Sequence, residues 1–310
     1  MIRVTCYVIR ENMYSQITAN KRKSVFLMTI FIAIIIGLGY VYSRAMGDTT
    51  YGGVWFAIII SLGSTMISYF AGDKIALYTS GAKAITKEDN AYVYRLVENL
   101  CIASGTPVPK IYIINDPAIN AFATGRKPEL ASVAVTTGAI EKLENEELEG
   151  VLAHELSHVK NYDIRFMTLV AVMVGAISIL ANIFLRSRFF FGGRRSNDRE
   201  GGGQLAAIFM IVGVVLAILS PIVAELIKLA ISRRREYLAD ASGSLLTRYP
   251  EGLAKALEKI QAENMPLRQA STATAHLFLV NPFQGKSLKS LFSTHPPIEE
   301  RIKKLRTMGA

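Results

Sequence analysis

Apolar residues in this chain run unbroken, in four places, for close to the length of a bilayer crossing, instead of alternating or recurring on one helical face. The stretches 25–42, 54–71, 166–185 and 205–224 contain no Asp, Glu, Lys or Arg. A helix of about 20 apolar residues spans about 30 Å of hydrocarbon. The pattern therefore predicts a mainly α membrane protein with about four transmembrane or re-entrant helices. The short connection 43–53 pairs the first two stretches into a transmembrane hairpin over 25–71, and the other two form a second hydrophobic hairpin over 164–231. The first stretch is too long for a cleavable signal and lacks a clean small-residue cleavage site, so it is read as an anchor.

The remaining chain is polar and falls into a basic leader (1–24) and a domain in two parts, 72–163 and 232–310. Met13 opens a stretch suited to leading a membrane helix, and translation is expected to start there, leaving 1–12 untranslated. In the domain, 88–104 reads as an amphipathic helix and 110–114, 121–124 and 132–136 as short strands. Gly125 and Pro128 predict a turn between the last two strands, giving a small β-sheet with a hairpin. Asn145 is expected to cap a helix that runs to about Lys160, with Glu146, Glu147 and Glu149 in its positive first turn. The helix after the fourth apolar stretch is expected to continue through Glu225 and Lys228 to Ser242, and 251–310 reads as helical.

The net charge of +10 and 51% hydrophobic residues come with a mean hydropathy of +0.29. The basic residues gather at membrane edges, at Lys21 to Lys23, across 186–199 and at Arg233 to Arg235, so the expected partner is the lipid bilayer and not nucleic acid. The positive-inside rule places Lys21 to Lys23, and with them the polar domain, in the cytoplasm. The arginines of 186–199 are disfavoured on the far side, which is why the second hairpin is read as re-entrant or spanning. Cys6 and Cys101 have no ligand-type spacing and imply neither a disulfide framework nor a thiolate zinc site.

His154-Glu155-Leu156-Ser157-His158 is an H-E-x-x-H sequence. On a helix its spacing puts both imidazoles on one face, where they can bind one zinc ion, with Glu155 beside the metal as general base. A zinc site needs a third protein ligand. Glu236 is the candidate: it shares a helical face with Asp240, so that one carboxylate can bind zinc while the other accepts the free ring N–H of a ligating histidine. His158 directly precedes the third apolar stretch and Glu236 directly follows the fourth, so the second hairpin must return to the surface it left. Tyr237 and His295 are candidates for stabilising a tetrahedral oxyanion, and His276 is read as a surface or core residue.

These motifs, together with Asn120-Ala121-Phe122-Ala123-Thr124-Gly125 and Ser293-Thr294-His295-Pro296-Pro297, resemble the HtpX-type membrane metallopeptidases, a family related to the CAAX prenyl endopeptidases. The resemblance implies a gluzincin-like cytosolic zinc protease domain in a multi-pass protein of the cell membrane. It further implies one Zn2+ per chain, protein or peptide substrates, and a role in degrading damaged or misfolded membrane proteins. It also favours Asn120, Ala121 and Phe122 as an edge strand that accepts an extended substrate by main-chain pairing. Residues 1–12 depart from the family pattern. Two rival readings are a prenyl-protein (CAAX-type) processing peptidase and a membrane scaffold with structural zinc. The scaffold reading is weakened because no apolar stretch carries an ionisable residue at its centre.

Overall fold

The computed structural model describes residues 2–45, 49–174, 233–268, 274–280, 282 and 296–308. The fourth apolar stretch, the connector 186–199, the helix expected through Glu225 and Lys228, and His295 lie outside the described residues.

Helix α1 (Ile2–Ala45) joins the polar leader and the first apolar stretch in one element, and α2 (Gly52–Thr79) carries the second stretch. Among the described residues, α2 is long and apolar enough to cross a membrane, with a mean hydropathy of 1.7. Trp55, Phe56, Ile59, Met66 and Ile67 of α2 are all more than half exposed, as are Val25 and Phe26 of α1. An exposed apolar surface of this extent suits contact with lipid and not with water. The two helices approach most closely at Gly39, where a Cβ would lie 2.5 Å from both Ala57 Cβ and Gly53 O. Small residues on both sides allow that approach.

The polar domain is built on a four-stranded sheet in the order β1-β2-β4-β3. β2 (Lys110–Ile114), β3 (Ala121–Thr124) and β4 (Ser132–Thr136) occupy the expected positions, and β3 and β4 form the expected antiparallel hairpin. β2 runs parallel to β4. β1 (Ala82–Ala84) pairs antiparallel with β2 and was not expected, since three residues are too few to show an alternating pattern. Helix α3 (Ala91–Ser104) begins later than the expected 88. The Asp89 carboxylate accepts from Thr86 N and Oγ1 and closes a turn there, and Asn90 Oδ1 then caps the helix by accepting from Val93 N–H.

A short helix α4 (Thr137–Lys142) leads into α5 (Asn145–Lys160). Asn145 is the first residue of α5 and not its cap. Glu144 takes the cap position, and the Glu147 carboxylate reaches back to accept from Glu144 N–H at 2.8 Å. Leu148, Val151, Leu152, Leu156 and Val159 bury α5 in the main core. Helices α7 (Arg233–Thr247), α8 (Pro250–Glu263) and α9 (Ile298–Met308) pack on it and on one another. The third apolar stretch is helical as far as it is described, forming α6 (163–174), whose Phe166, Leu169, Val170 and Met173 pack with Leu27 and Phe31 of α1.

β3 ends the sheet, as expected for an edge strand, but its outer side is already paired. After a turn at Ala275–Leu277, Leu279 N–H donates to Ala121 O at 2.9 Å. The Asn120 side chain then donates from Nδ2 to Val280 O at 3.0 Å, and Phe278 stacks edge-on against Phe122 at 4.9 Å.

Candidate metal centre

α5 is buried along most of its length, and its inward face carries His154, Glu155 and His158, which are 1%, 2% and 4% exposed. α7 lies across this face and contributes Glu236, Asp240 and Gly243, which share one face of that helix at i, i+4 and i+7. Gly243 sets the spacing, because a Cβ there would sit 3.0 Å from His154 N. The two helices therefore meet backbone to backbone where the five carboxylate and imidazole groups converge.

Ligand atoms of His154, His158 and Glu236 lie within 4.8 Å of one another. The two Nε2 atoms are 3.2 Å apart, His154 Nε2 is 3.7 Å from Glu236 Oε2, and His158 Nε2 is 3.6 Å from Glu236 Oε1. A tetrahedral zinc ion bound at about 2.0–2.1 Å puts two of its donors about 3.4 Å apart, so two imidazole nitrogens and a carboxylate that offers one oxygen to each at these distances fit it. The outer nitrogens add a second argument. His154 Nδ1 faces Asp240 Oδ1 at 2.9 Å and His158 Nδ1 faces Asp163 Oδ2 at 3.0 Å. With each Nδ1–H donated to a carboxylate, both Nε2 lone pairs turn toward the same point, an arrangement that a cation stabilises.

Electrostatics follow from deep burial among many charges. Burial pushes Glu155 up to about 7, and Glu236 adds to the rise, while His158 and an N–H from Ala123 of β3 pull the other way. For His158 the lowering by burial is outweighed by the Asp163 hydrogen bond and the Glu236 charge, and its value rises to about 9. Burial wins at His154, which is lowered despite Asp240. Asp240 would rise on burial, but Arg301 and His154 hold it at about 2. Surroundings that retain positive charge on His158 in this way equally favour a divalent cation between the same groups.

The Asp240 carboxylate, expected as the partner of a ligating histidine, lies 2.9 Å from Nδ1 of His154. Tyr237 does not turn into the cluster: its hydroxyl donates to Glu300 at 2.7 Å, and Lys304 Nζ lies 3.2 Å over its ring. His276 is a core residue whose Nε2 lies 3.0 Å from Met167 O. Ala121 and Phe122 lie on the strand that reaches Glu155 and Asn120 immediately precedes it, with 278–280 paired along them.

Four supporting residues were not anticipated in these roles. Arg301 of α9 is fully buried and clamps Asp240 with Nε at 2.9 Å and Nη2 at 2.7 Å. Asp163 follows the end of α5 and is held by Arg235 Nε at 3.0 Å and Asn20 Nδ2 at 2.6 Å. The available signal for Arg301 was a positive charge on the apolar stripe of Ile298, Ile302 and Leu305, which implies a buried acid. Neither Asp163 nor Asn20 carried a comparable signal.

Residues 87–309 match Peptidase family M48. The chain is 45% identical over 298 residues to a protein called Protease HtpX homolog from Dictyoglomus turgidum, covering 96% of this chain and 95% of that one. A Tropheryma whipplei protein of the same description is 43% identical over 297 residues, covering 96% and 99%. Among solved structures, S. mikatae Ste24p aligns with a TM-score of 0.51 at 18% identity, over 94% of this chain and 67% of that one, a likeness of fold.

Proposed function

The chain belongs to peptidase family M48, and from that premise we propose that it is a membrane-anchored zinc endopeptidase in which His154, His158 and Glu236 hold the metal and Glu155 is the general base. The observation that carries this reading is the convergence of three buried ligand atoms beside a buried glutamate that burial pushes up to about 7. Zinc bound there supplies Lewis-acid activation of a water nucleophile and charge stabilisation as the peptide carbonyl is attacked.

Everything else is done by the chain's own groups. Glu155 accepts the proton of the attacking water and passes it to the leaving amine, for which a value near 7 is well matched. Asp240 and Asp163 hold the two imidazoles in the tautomer that leaves Nε2 free. Arg301, in turn, keeps Asp240 ionised and clamped, and Arg235 holds Asp163 in place. β3 is the docking strand for an extended substrate, through Ala121, Phe122 and the preceding Asn120, and the resident segment 278–280 marks where the incoming main chain would run.

The finer reading is a gluzincin-like domain facing the cytoplasm, on a multi-pass protein of the cell membrane with about four transmembrane or re-entrant helices. Its proposed substrates are misfolded or damaged membrane proteins. The exposed apolar surfaces of α1 and α2 and the basic run Lys21 to Lys23 support this placement.

The test compares zinc content and casein cleavage of the detergent-purified protein with those of Glu155→Gln, which keeps all three ligands. Wild type and variant should each hold about one zinc, with cleavage only by the wild type. Equal cleavage by both would remove Glu155 from its role. A prenylated CAAX peptide assayed beside an unfolded membrane protein separates the processing and quality-control readings.

A further inference from the structure

A cleft whose lining includes none of the metal ligands is formed by Ser68, Tyr69 and Asp73 of α2, Arg126 of the β3–β4 turn, and Arg165 and Thr168 of α6. It sits where the apolar helices meet the polar domain. The apolar stretch 54–71 ends beside it and gives way to Asp73 and Lys74. Nearby, Lys21 lies 4.5 Å over the ring of Tyr162, three residues before Arg165.

The two arginines are held by aromatic rings and not by acids. The Arg126 guanidinium lies 4.7 Å from the Phe70 ring and 5.6 Å from Tyr69, and that of Arg165 lies 5.1 Å from Tyr69. Two like charges therefore share one ring. Neither forms an ion pair with Asp73 or with any other carboxylate among the described residues. Arg165 Nε is also buried with no hydrogen-bond partner. Buried donors in natural proteins are nearly always satisfied, so this N–H points to an acceptor that none of the described residues provides.

We propose that this cleft holds the phosphate of a phospholipid headgroup. Guanidinium forks match phosphate oxygens geometrically, and an oxyanion here would pair both arginines and accept from Arg165 Nε. Asp73 opposes it with one charge against two. The location selects a lipid over a free ion, because Phe70 and Ile67 beside the cleft are 52% and 57% exposed and offer an apolar surface for acyl chains. The bound headgroup would also brace the strand that faces Glu155, since Thr168 Oγ1 lies 2.8 Å from Thr124 Oγ1 of β3.

The full chain is delipidated in detergent and incubated with phosphatidylglycerol, and bound phosphorus is counted after gel filtration. Wild type should retain about one phospholipid per chain more than the Arg126→Gln/Arg165→Gln variant. The Arg22→Gln/Lys23→Gln variant, which removes two charges from the exposed leader, should retain as much as wild type. A phospholipid with a photoreactive headgroup, applied to the unaltered protein, should label the peptide containing residue 126 or 165, and this arm does not depend on how a variant folds. Equal retention by the Arg126/Arg165 variant, or labelling confined to other peptides, would overturn the proposal. Displacement of the lipid by inorganic phosphate would overturn the lipid assignment in favour of the free ion.

Discussion

Asn20 Nδ2 donates to Asp163 Oδ1 at 2.6 Å, and the other oxygen of that carboxylate lies 3.0 Å from Nδ1 of His158. A residue on the helix that carries the first apolar stretch is thus linked to an imidazole of the proposed metal centre through a single carboxylate. Asn20 is fully buried and also donates to Asn161 O at 3.0 Å, so it fixes the chain at the turn between α5 and α6.

Replacing Asn20 with Ala leaves Asp163 with Arg235 as its remaining support on that oxygen. Partners of ligating histidines are commonly worth about 10–100-fold in metal affinity or activity. Asn20 stands one step further out, so a loss of about 10-fold in zinc affinity is expected, read by competition with a chelator. Asn20→Asp should lose more, because it sets a second carboxylate against Asp163. Wild-type affinity in both variants would disconnect the helix from the metal centre.

Arg301→Met should destabilise the protein strongly, by about 3–5 kcal/mol, because it leaves the carboxylate of Asp240 buried without its clamp. Arg301→Lys retains charge but not the two-pronged grip, and is expected to recover part of the loss. In the double variant Asp240→Asn/Arg301→Met, stability should return further than activity, since no buried charge is stranded but His154 loses its anionic partner. Denaturant unfolding and kcat/KM on casein, measured together, separate the two effects. A double variant as unstable as Arg301→Met alone would refute the clamp.

How much of this was legible in the sequence depends on how local each signal is. The spacing of His154, Glu155 and His158 lies within one helical turn and a residue, and the strands β2, β3 and β4 are dense in β-branched and alanine residues between turn formers. Glu236 and Asp240 were readable as a pair because they share a face of one helix. Asp163 lies five residues beyond His158, past the end of α5, where no helical period returns it to the ligand. Asn20 is 143 residues from its partner, and only the packing of α1 against the α5–α6 turn brings them together. The pairing of 278–280 with β3 was likewise invisible, since three residues carry no periodicity.

Gly243→Val tests the spacing between α5 and α7. The added side chain would press on the backbone at His154, and overpacking of this kind typically costs about 1–3 kcal/mol. Because Glu236 and Asp240 ride on the same helix, the expected signature is a loss of zinc affinity out of proportion to the loss in melting temperature. A variant that melts earlier but binds zinc as wild type does would show that α7 can shift without moving its ligands.

Cys101 is 1% exposed, and burial raises its thiol pKa against the lowering effect of Thr106. The thiolate is the reactive form, so the raised value and the lack of access act in the same direction. In a Cys6→Ser background, alkylation of the folded protein at pH 8 should be slow and become rapid only in denaturant. Rapid labelling of the native protein would show that α3 opens from the core readily.

For the substrate docking proposed at β3, the segment 278–280 that lies along it is a tethered competitor. An intramolecular partner acts at an effective concentration on the order of millimolar or above, so a peptide diffusing in from dilute solution is outnumbered at the Ala121 carbonyl before it arrives. Confinement changes that arithmetic, because a polypeptide lying in the same bilayer is concentrated beside the cleft by the loss of a dimension. On the proposed reading, the protein discriminates among chains by where they reside before it discriminates by what they contain.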